Sequence, residues 1–553
     1  MRLDGKPEGL RQSMSWLHAW TGILLGWLLY AVFFTGTLSY FLDEINLWMK
    51  PELHASVASP DAEVTAATAL AGMARLAPNA SQWTLELPSE RQTTVQASWR
   101  EKGETRTGRA GLKRAELDAA TGEPMVARET RGGNFLYRFH FELHAMPRPV
   151  GRWIVGIATM FMFVAIISGV ITHKKIFTDF FTFRPGKGQR SWLDAHNASA
   201  VLALPFHVMI TFSGLMLLVA TLLPWGAQAV YGDDIRAYNM ERRGMAPAAA
   251  GEHEGRRESR RGRSGDGAAP VDLAATITPM LATAREHWPQ REIGRIAVTR
   301  PGQPGATVEL RAHGSDSLAT RGQSARLVFH ADGRLKEAPA LAQPSVASAV
   351  NNVLAATHMG RFAGTPLRWL LFLSGVVGTA MVGTGLVLWV VKRLPERRKL
   401  GHTPFGHRLV ESTNIAAIAG IALATAAYFW INRLIPTELP GRAGWEINGF
   451  FVVWALSLAH ALWRPARAAW REQCGAVAVL YLLLPVLNPL TGGHGLFTSL
   501  RLGQGAIAGF DLAMLAIGAL FGWIVLHLRR REARAQTAAR PVPAPELVAE
   551  VRS

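Results

Sequence analysis

The sequence predicts a polytopic α-helical membrane protein of about eight transmembrane helices carrying two small α+β modules on its outer face. Three observations carry this. Hydrophobic residues make up 49% of the 553-residue chain, and they are clumped into long uncharged runs rather than spread along it. A bilayer core requires about 20 consecutive apolar residues in a helix, and the chain meets that length repeatedly. Two long hydrophilic stretches, each with a helical and then an alternating pattern, interrupt the runs.

Taken in order, the first span covers residues 12–42, where the only ionisable side chains are His18, Tyr30 and Tyr40. Its basic lead of Arg2, Lys6 and Arg11 resembles that of a signal peptide. The apolar run is too long for a signal h-region and lacks a small-residue cleavage pattern, so an uncleaved anchor is expected. Residues 44–148 form the first module. A second span follows at 152–173 and a third at 196–224. The second module occupies 226–366 and contains an insert at 241–270, rich in Arg, Gly, Ala and Glu, that is expected to be disordered. Further spans are expected at 368–392, 411–433, 446–463, 473–489 and 507–528, with a cytoplasmic tail at 529–553.

Inside the modules, residues 65–76 and 273–287 are Ala-rich and helical in period. Strands are expected at 82–87 and 94–99 in the first module and at 295–299 and 307–311 in the second. Each module closes with a strand and a glycine turn, at 115–124 and 327–335.

The net charge of +18 does not point to nucleic acid, because the basic residues flank alternate ends of the apolar runs. Lys174-Lys175, Lys392-Arg393 through Arg398-Lys399, Arg464 to Arg471 and Arg529-Arg530-Arg531 all belong on one side. Placing them inside puts both termini in the cytoplasm of a bacterial inner-membrane protein, with lipid as its surroundings and both modules in the periplasm. The basic run at 256–263 falls on the other side, which long loops tolerate. Cys474 is the only cysteine, which excludes intramolecular disulfides, Cys-based zinc sites, cysteine-ligated iron–sulfur clusters and CxxCH haem attachment.

The chain repeats itself. Superposing Thr35-Gly36 on Ser213-Gly214 brings His18 onto His196, each eighteen residues before its glycine. Ser168-Gly169 matches Thr384-Gly385, with Arg152-Trp153 and Arg368-Trp369 opening those spans. His144 and His358 precede them at spacings that differ by two residues. The first four spans therefore read as two copies of a span–module–span unit.

These residues carry a resemblance. Trp16-Leu-His-Ala-Trp-Thr-Gly22, Thr35-Gly36, the first module and Ser168-Gly-Val-Ile-Thr-His173 together resemble the PepSY-associated transmembrane family over residues 10–400. That family includes iron-regulated inner-membrane proteins and ferric-siderophore reductases, and the last four spans fall outside the resemblance. It implies PepSY-like modules and a haem-binding membrane domain.

Ionisable groups within spans are costly and mark candidate sites. His18, His173 and His196 stand at the cytoplasmic ends of the first three spans. His207 follows His196 by eleven residues, about three helical turns, so a continuous helix would carry both on one face with a rise of roughly 16 Å. That separation suits two stacked b-type haems, each held by two neutral imidazoles. His196 pairs with His173 in this reading, with His18 as its rival, and two ligands for the outer haem come from His144, His207 and His358. Arg152 and Arg368 are candidates for haem propionates or an anionic substrate, against the plainer role of interfacial anchors beside Trp. His460, His494 and His527 have no partner at matching depth and read as structural.

The cytoplasmic connections are too short for a flavin or nicotinamide domain. Electrons are therefore expected from quinol or a separate donor protein. The acceptor implied by the resemblance is a ferric siderophore or another ferric chelate. A transporter accessory and a periplasmic binding or regulatory protein are the competing classes. The only acidic residue within the uncharged runs, Asp511, gives transport little support.

Overall fold

The computed structural model describes residues 9–538 apart from 60, 107, 174–182, 233, 243–270, 304, 315–316, 321–323 and 342. Nearly all of the insert expected at 241–270 lies outside the described residues, as does Lys174-Lys175.

Among the described residues eight helices are long and apolar enough to cross a membrane: Leu10–Trp48, Arg148–Thr172, Leu204–Leu222, Thr365–Leu400, Phe405–Leu434, Arg442–Trp463, Ala466–Leu490 and Gly505–Arg534. Several run past the apolar stretch that marks them in the sequence. Polar residues at a helix end keep helical geometry while reaching water, so the apolar run sets a lower bound on helix length. The protein is a multi-pass membrane protein.

The elements that build the site are, in chain order, α1 (Leu10–Leu38), α2 (Leu42–Trp48), α3 (Ala62–Leu76), α4 (Gly133–Glu142), α5 (Arg148–Thr172), α6 (Gln189–Leu202) and α7 (Leu204–Leu222). They continue with α8 (Leu273–His287), α9 (Val346–Met359) and α10 (Thr365–Lys392). The third span departs from expectation. It is not one helix: the chain breaks at Ala203, and Pro205 stands in the first turn of α7. A proline there has no N–H to give to the preceding turn and ends the helix before it. His196 and His207 therefore lie on different helices rather than on one continuous helix, yet both rings still face the span Thr365–Lys392, at Gly385 and Gly378.

The two modules do not stand apart. Strands β1 (Ala80–Glu86), β2 (Val95–Glu101), β3 (Lys113–Leu117) and β4 (Pro124–Met125) come from the first module. Strands β5 (Ile293–Thr299), β6 (Thr307–Ala312), β7 (Arg326–His330) and β8 (Leu335–Glu337) come from the second. All eight join one sheet in the order β4-β3-β2-β1-β5-β6-β7-β8. The seam is the antiparallel pair β1–β5, with Thr84 opposite Ala297 and Leu85 opposite Ile296. The strand order reads the same outward from this seam in both directions, so the sheet carries the two-fold repeat. Helices α3 and α8 pack on each other. Their Met73, Met280 and Ile277 share one core with Trp83, Leu85, Ile296 and Phe329 of the sheet. The β1 and β5 edges that would be open in isolated modules are paired at the seam, and only the short strands β4 and β8 are left at the sheet's edges.

The last four spans begin with α11 (Phe405–Leu434, with a π-helical segment at Ala416–Gly420), followed by α12 (Arg442–Trp463), α13 (Ala466–Leu490) and α14 (Gly505–Ala538). They pack on the repeat through a buried polar joint at their sheet-side ends. Trp48 Nε1 donates to Asp511 Oδ1 at 2.9 Å, and the Arg433 guanidinium lies 4.1 Å from the centre of the Trp48 ring. Arg442 and Glu446 form a fully buried ion pair at 2.5 Å one helical turn apart. Asn432 and Thr130 complete the carboxylate's partners. Asp511 is thus absorbed by packing.

Candidate functional site

Each of the four Ser/Thr-Gly pairs read from the sequence receives one imidazole. His18 Nδ1 lies 2.9 Å from the Ala165 carbonyl oxygen, three residues before Ser168-Gly169. His196 Nδ1 lies 2.9 Å from the Met381 oxygen, three before Thr384-Gly385. His140 Nδ1 lies 2.7 Å from the Val32 oxygen, three before Thr35-Gly36. His358 Nδ1 meets Ser213 Oγ at 2.9 Å, with the Ile210 carbonyl also hydrogen-bonded to the ring. A helical carbonyl keeps a second lone pair after its own helix bond, and that lone pair accepts the imidazole N–H.

The glycines make room for the rings. A Cβ at Gly36 would sit 2.6 Å from the His140 ring. At Gly169, Gly214 and Gly385 it would sit 3.2, 3.1 and 3.1 Å from the rings of His18, His358 and His196. An imidazole can lie flat against a helix backbone only where that side chain is missing.

A carbonyl cannot donate, so each Nδ1 held by one must carry the proton. The lone pair then stands at Nε2, the usual arrangement for a metal-ligating histidine anchored through its other nitrogen. Among the described residues, none of these four Nε2 atoms has a hydrogen-bond partner. Burial pushes His140 and His358, which lie on helices outside the spans, below the ordinary imidazole value, His358 to about 3. Both are therefore neutral at physiological pH, the form that binds metals.

The four rings form two pairs. His18 faces His196 with ring centres 6.1 Å apart, and His140 faces His358 with ring centres 6.1 Å apart. Each pair takes one histidine from each repeat. A metal bonded to both rings at about 2 Å would hold the two ring centres about 6 Å apart, so both pairs have the spacing of a two-imidazole metal site. Helix α1 contributes His18 to one pair and the Val32 carbonyl to the other. Fourteen residues separate them, a rise of about 21 Å. One pair therefore lies toward the termini and the other toward the sheet.

The remaining candidates are placed differently. His144 is exposed, follows the end of α4, and stacks on Phe451 at 5.2 Å. His173 accepts a hydrogen bond from Asn197 Nδ2 at 2.7 Å and lines a cavity with Arg184, Arg190 and Asp194. His207 lies between the two pairs and belongs to neither. Arg152 is paired with Glu142 at 2.5 Å, and Arg368 is buried against Glu44 at 3.3 Å and the Ala363 carbonyl at 2.9 Å. Both arginines fasten the sheet-side ends of their spans. His460 pairs with Glu472, His494 with Gln504, and His527 stacks on Trp523.

Sequence reasoning missed His140. Its distance to Ser168 is 28 residues and that of His144 is 24, while His358 precedes Thr384 by 26. Spacing therefore cannot choose between them. A helical signal could have: His140 stands four residues after the fully buried Leu136, on its inward face, whereas Leu143 ends the helix at a positive φ of 57°.

Fold and site together define a multi-pass membrane protein whose first four spans are two copies of a span–module–span unit meeting at two histidine pairs. Residues 15–392 match the family described as the PepSY-associated TM region. The chain belongs to that family. No curated protein matches the chain.

Proposed function

We propose that each histidine pair holds one b-type haem and that the protein passes electrons through the membrane to an acceptor on the sheet side. A ferric siderophore or another ferric chelate is the first candidate. The observation that carries this reading is the pair of imidazoles 6.1 Å apart, each held through Nδ1 with Nε2 free, repeated at two depths.

The donor set favours haem over a bare ion. Among the described residues no group of three or more His, Cys, Asp or Glu gathers. Two imidazoles alone leave a zinc site two ligands short, whereas a porphyrin supplies four equatorial nitrogens itself. Bound there, a haem with two imidazoles supplies one-electron chemistry without taking substrate on the metal. The protein's part is to fix each ring's tautomer and angle, through a backbone carbonyl at His18, His140 and His196 and through the Ser213 hydroxyl at His358, whose own proton goes to the Met209 carbonyl. The glycines open the gap, and the surrounding apolar helices exclude water.

In this reading the sheet side is the periplasm of a bacterial inner membrane, and both termini are cytoplasmic. Quinol or a separate donor protein supplies electrons at the terminus side. Reduction weakens the hold of hard oxygen ligands on iron and so frees the metal for uptake.

An absorption spectrum of the purified protein tests the core of the proposal. A Soret band with α and β bands sharpened by dithionite is expected, with two haems per chain by pyridine haemochrome. Absence of a Soret band from protein produced in haem-replete cells overturns it. The acceptor is tested separately in sealed vesicles of either orientation. An impermeant ferric chelate should reoxidise the reduced protein only when the sheet side faces the medium.

A further inference from the structure

The third span carries a histidine that the two pairs do not use. His207 is 1% exposed, and its Nε2 has no hydrogen-bond partner. The ring is hydrogen-bonded to the Ala200 carbonyl, which leaves Nε2 as an open acceptor. Nε2 abuts the backbone of Gly378 on α10, where a Cβ would sit 3.2 Å away. Phe33 of α1 presents its edge to the imidazole with ring centres 6.3 Å apart. A polar atom left unpaired among apolar helices is costly, and a histidine kept only for packing would be satisfied.

Its position is equally specific. Gly378 precedes Gly385, the seat of His196, by seven residues on α10, about 10 Å along the helix. His207 precedes Gly214, the seat of His358, by seven residues on α7, again about 10 Å. His207 therefore stands midway between the two pairs. The titratable and charged groups on α1, α6 and α9 around it are Arg11, His18 and Tyr30 on α1, Arg190, Asp194 and His196 on α6, and His358 on α9, with Arg11 and Arg190 in the first turns of their helices. Asp194 is occupied by Arg184 at 3.0 Å. Helices α5, α7 and α10 bring no Asp, Glu, Lys or Arg between residues 153 and 172, 204 and 222, or 369 and 391. No fixed charge on these helices offsets an electron arriving at this depth.

Resting on the reading of the two pairs as electron-carrying metal sites, we propose that His207 is a proton-binding site coupled to both. When the first of the two sites to be reduced gains its electron, Nε2 of His207 gains one proton drawn from water, holds it through the second reduction, and returns it when both electrons have left. An added negative charge in a low-dielectric interior raises the proton affinity of a neighbouring base, and a group midway answers to both sites.

Redox titration of the purified holoprotein in nanodiscs tests this. Between about pH 6 and about pH 9 the wild-type midpoint of the first reduction should fall by up to about 59 mV per pH unit, one proton for that electron. In His207→Gln and His207→Phe the slope should flatten, with the Soret and α bands and the haem content unchanged. A flat wild-type slope, or an equal slope in folded variants, overturns the proposal. A measurement on the wild type alone does not depend on the variants folding. The reduced-minus-oxidised infrared difference spectrum of protein labelled with 15N-histidine should contain an imidazolium signal, and its absence also overturns the proposal. Protein without a Soret band would instead refute the haem reading itself.

Discussion

At the scale of single residues, the glycines and the carbonyl-anchored histidines are the parts most open to test. His140→Ala should remove about half of the bound haem, while His144→Ala should leave it unchanged, because His144 stacks on Phe451 away from either pair. Haem per chain by pyridine haemochrome separates the two, and equal loss in both variants would displace His140 from its role. Gly36→Val should also cost the sheet-side haem, since even the Cβ meets the His140 ring at 2.6 Å. Gly169→Ala should be milder, because its Cβ would crowd the His18 ring only to 3.2 Å, which a shift of a few tenths of an ångström relieves. Much of this pattern was legible in the chain. The superposition of His18 on His196, and of each Ser/Thr-Gly pair on its counterpart, identified the repeated parts. It did not say that His18 would reach across to the second span and His196 to the fourth, because a side chain's partner on another helix leaves no local trace.

At the scale of elements, the joint between the last four spans and the repeat is built on buried charge. Arg442 and Glu446 are both fully buried, with Asn432 and Thr130 completing the carboxylate's hydrogen bonds. Removing one partner leaves the other charge unpaired in a low-dielectric site, at a cost of about 3–5 kcal/mol. Arg442→Leu should therefore lower the thermal unfolding midpoint markedly, and Arg442→Leu combined with Glu446→Leu should recover part of the loss. If the double variant is no better than the single one, the pair is not the source of the effect. Element type and position were well marked by composition. The helix read at 273–287 is the observed α8, and the strands read at 307–311 and 295–299 fall inside β6 and β5. The break of the third span at Ala203 was not read, although Pro205 stands two residues beyond it. An apolar run that continues through a proline looks unbroken to any count of hydrophobic length.

At the scale of the whole molecule, the two modules act as one body because β1 and β5 share a seam. Cysteines at Thr84 and Ala297, directly opposite across that seam, should form an intramolecular disulfide under mild oxidation. The native Cys474 is buried and should not compete. Gel mobility under non-reducing conditions reports the crosslink, and a product found only between chains would mean that the modules pair with other molecules instead. Because the seam ties the first module to the second, it also holds the spans that feed them in register. Misalignment of either histidine pair would strain the sheet.

By itself the sequence determined the membrane class, the number of spans, the two-fold repeat and the residue types at its seats. These follow from hydrophobic length, from the strand period of two and from short motifs, all of which are properties of neighbouring residues. The pairing was decided only by tertiary structure. It chose His140 over His144, set His18 opposite His196, left His207 between the pairs and joined eight strands across two modules. Each of these relations spans more than a hundred residues of chain or turns on which way a helix face points after packing. Helices and strands meet by fitting surfaces, and that fit exists only once both surfaces have formed.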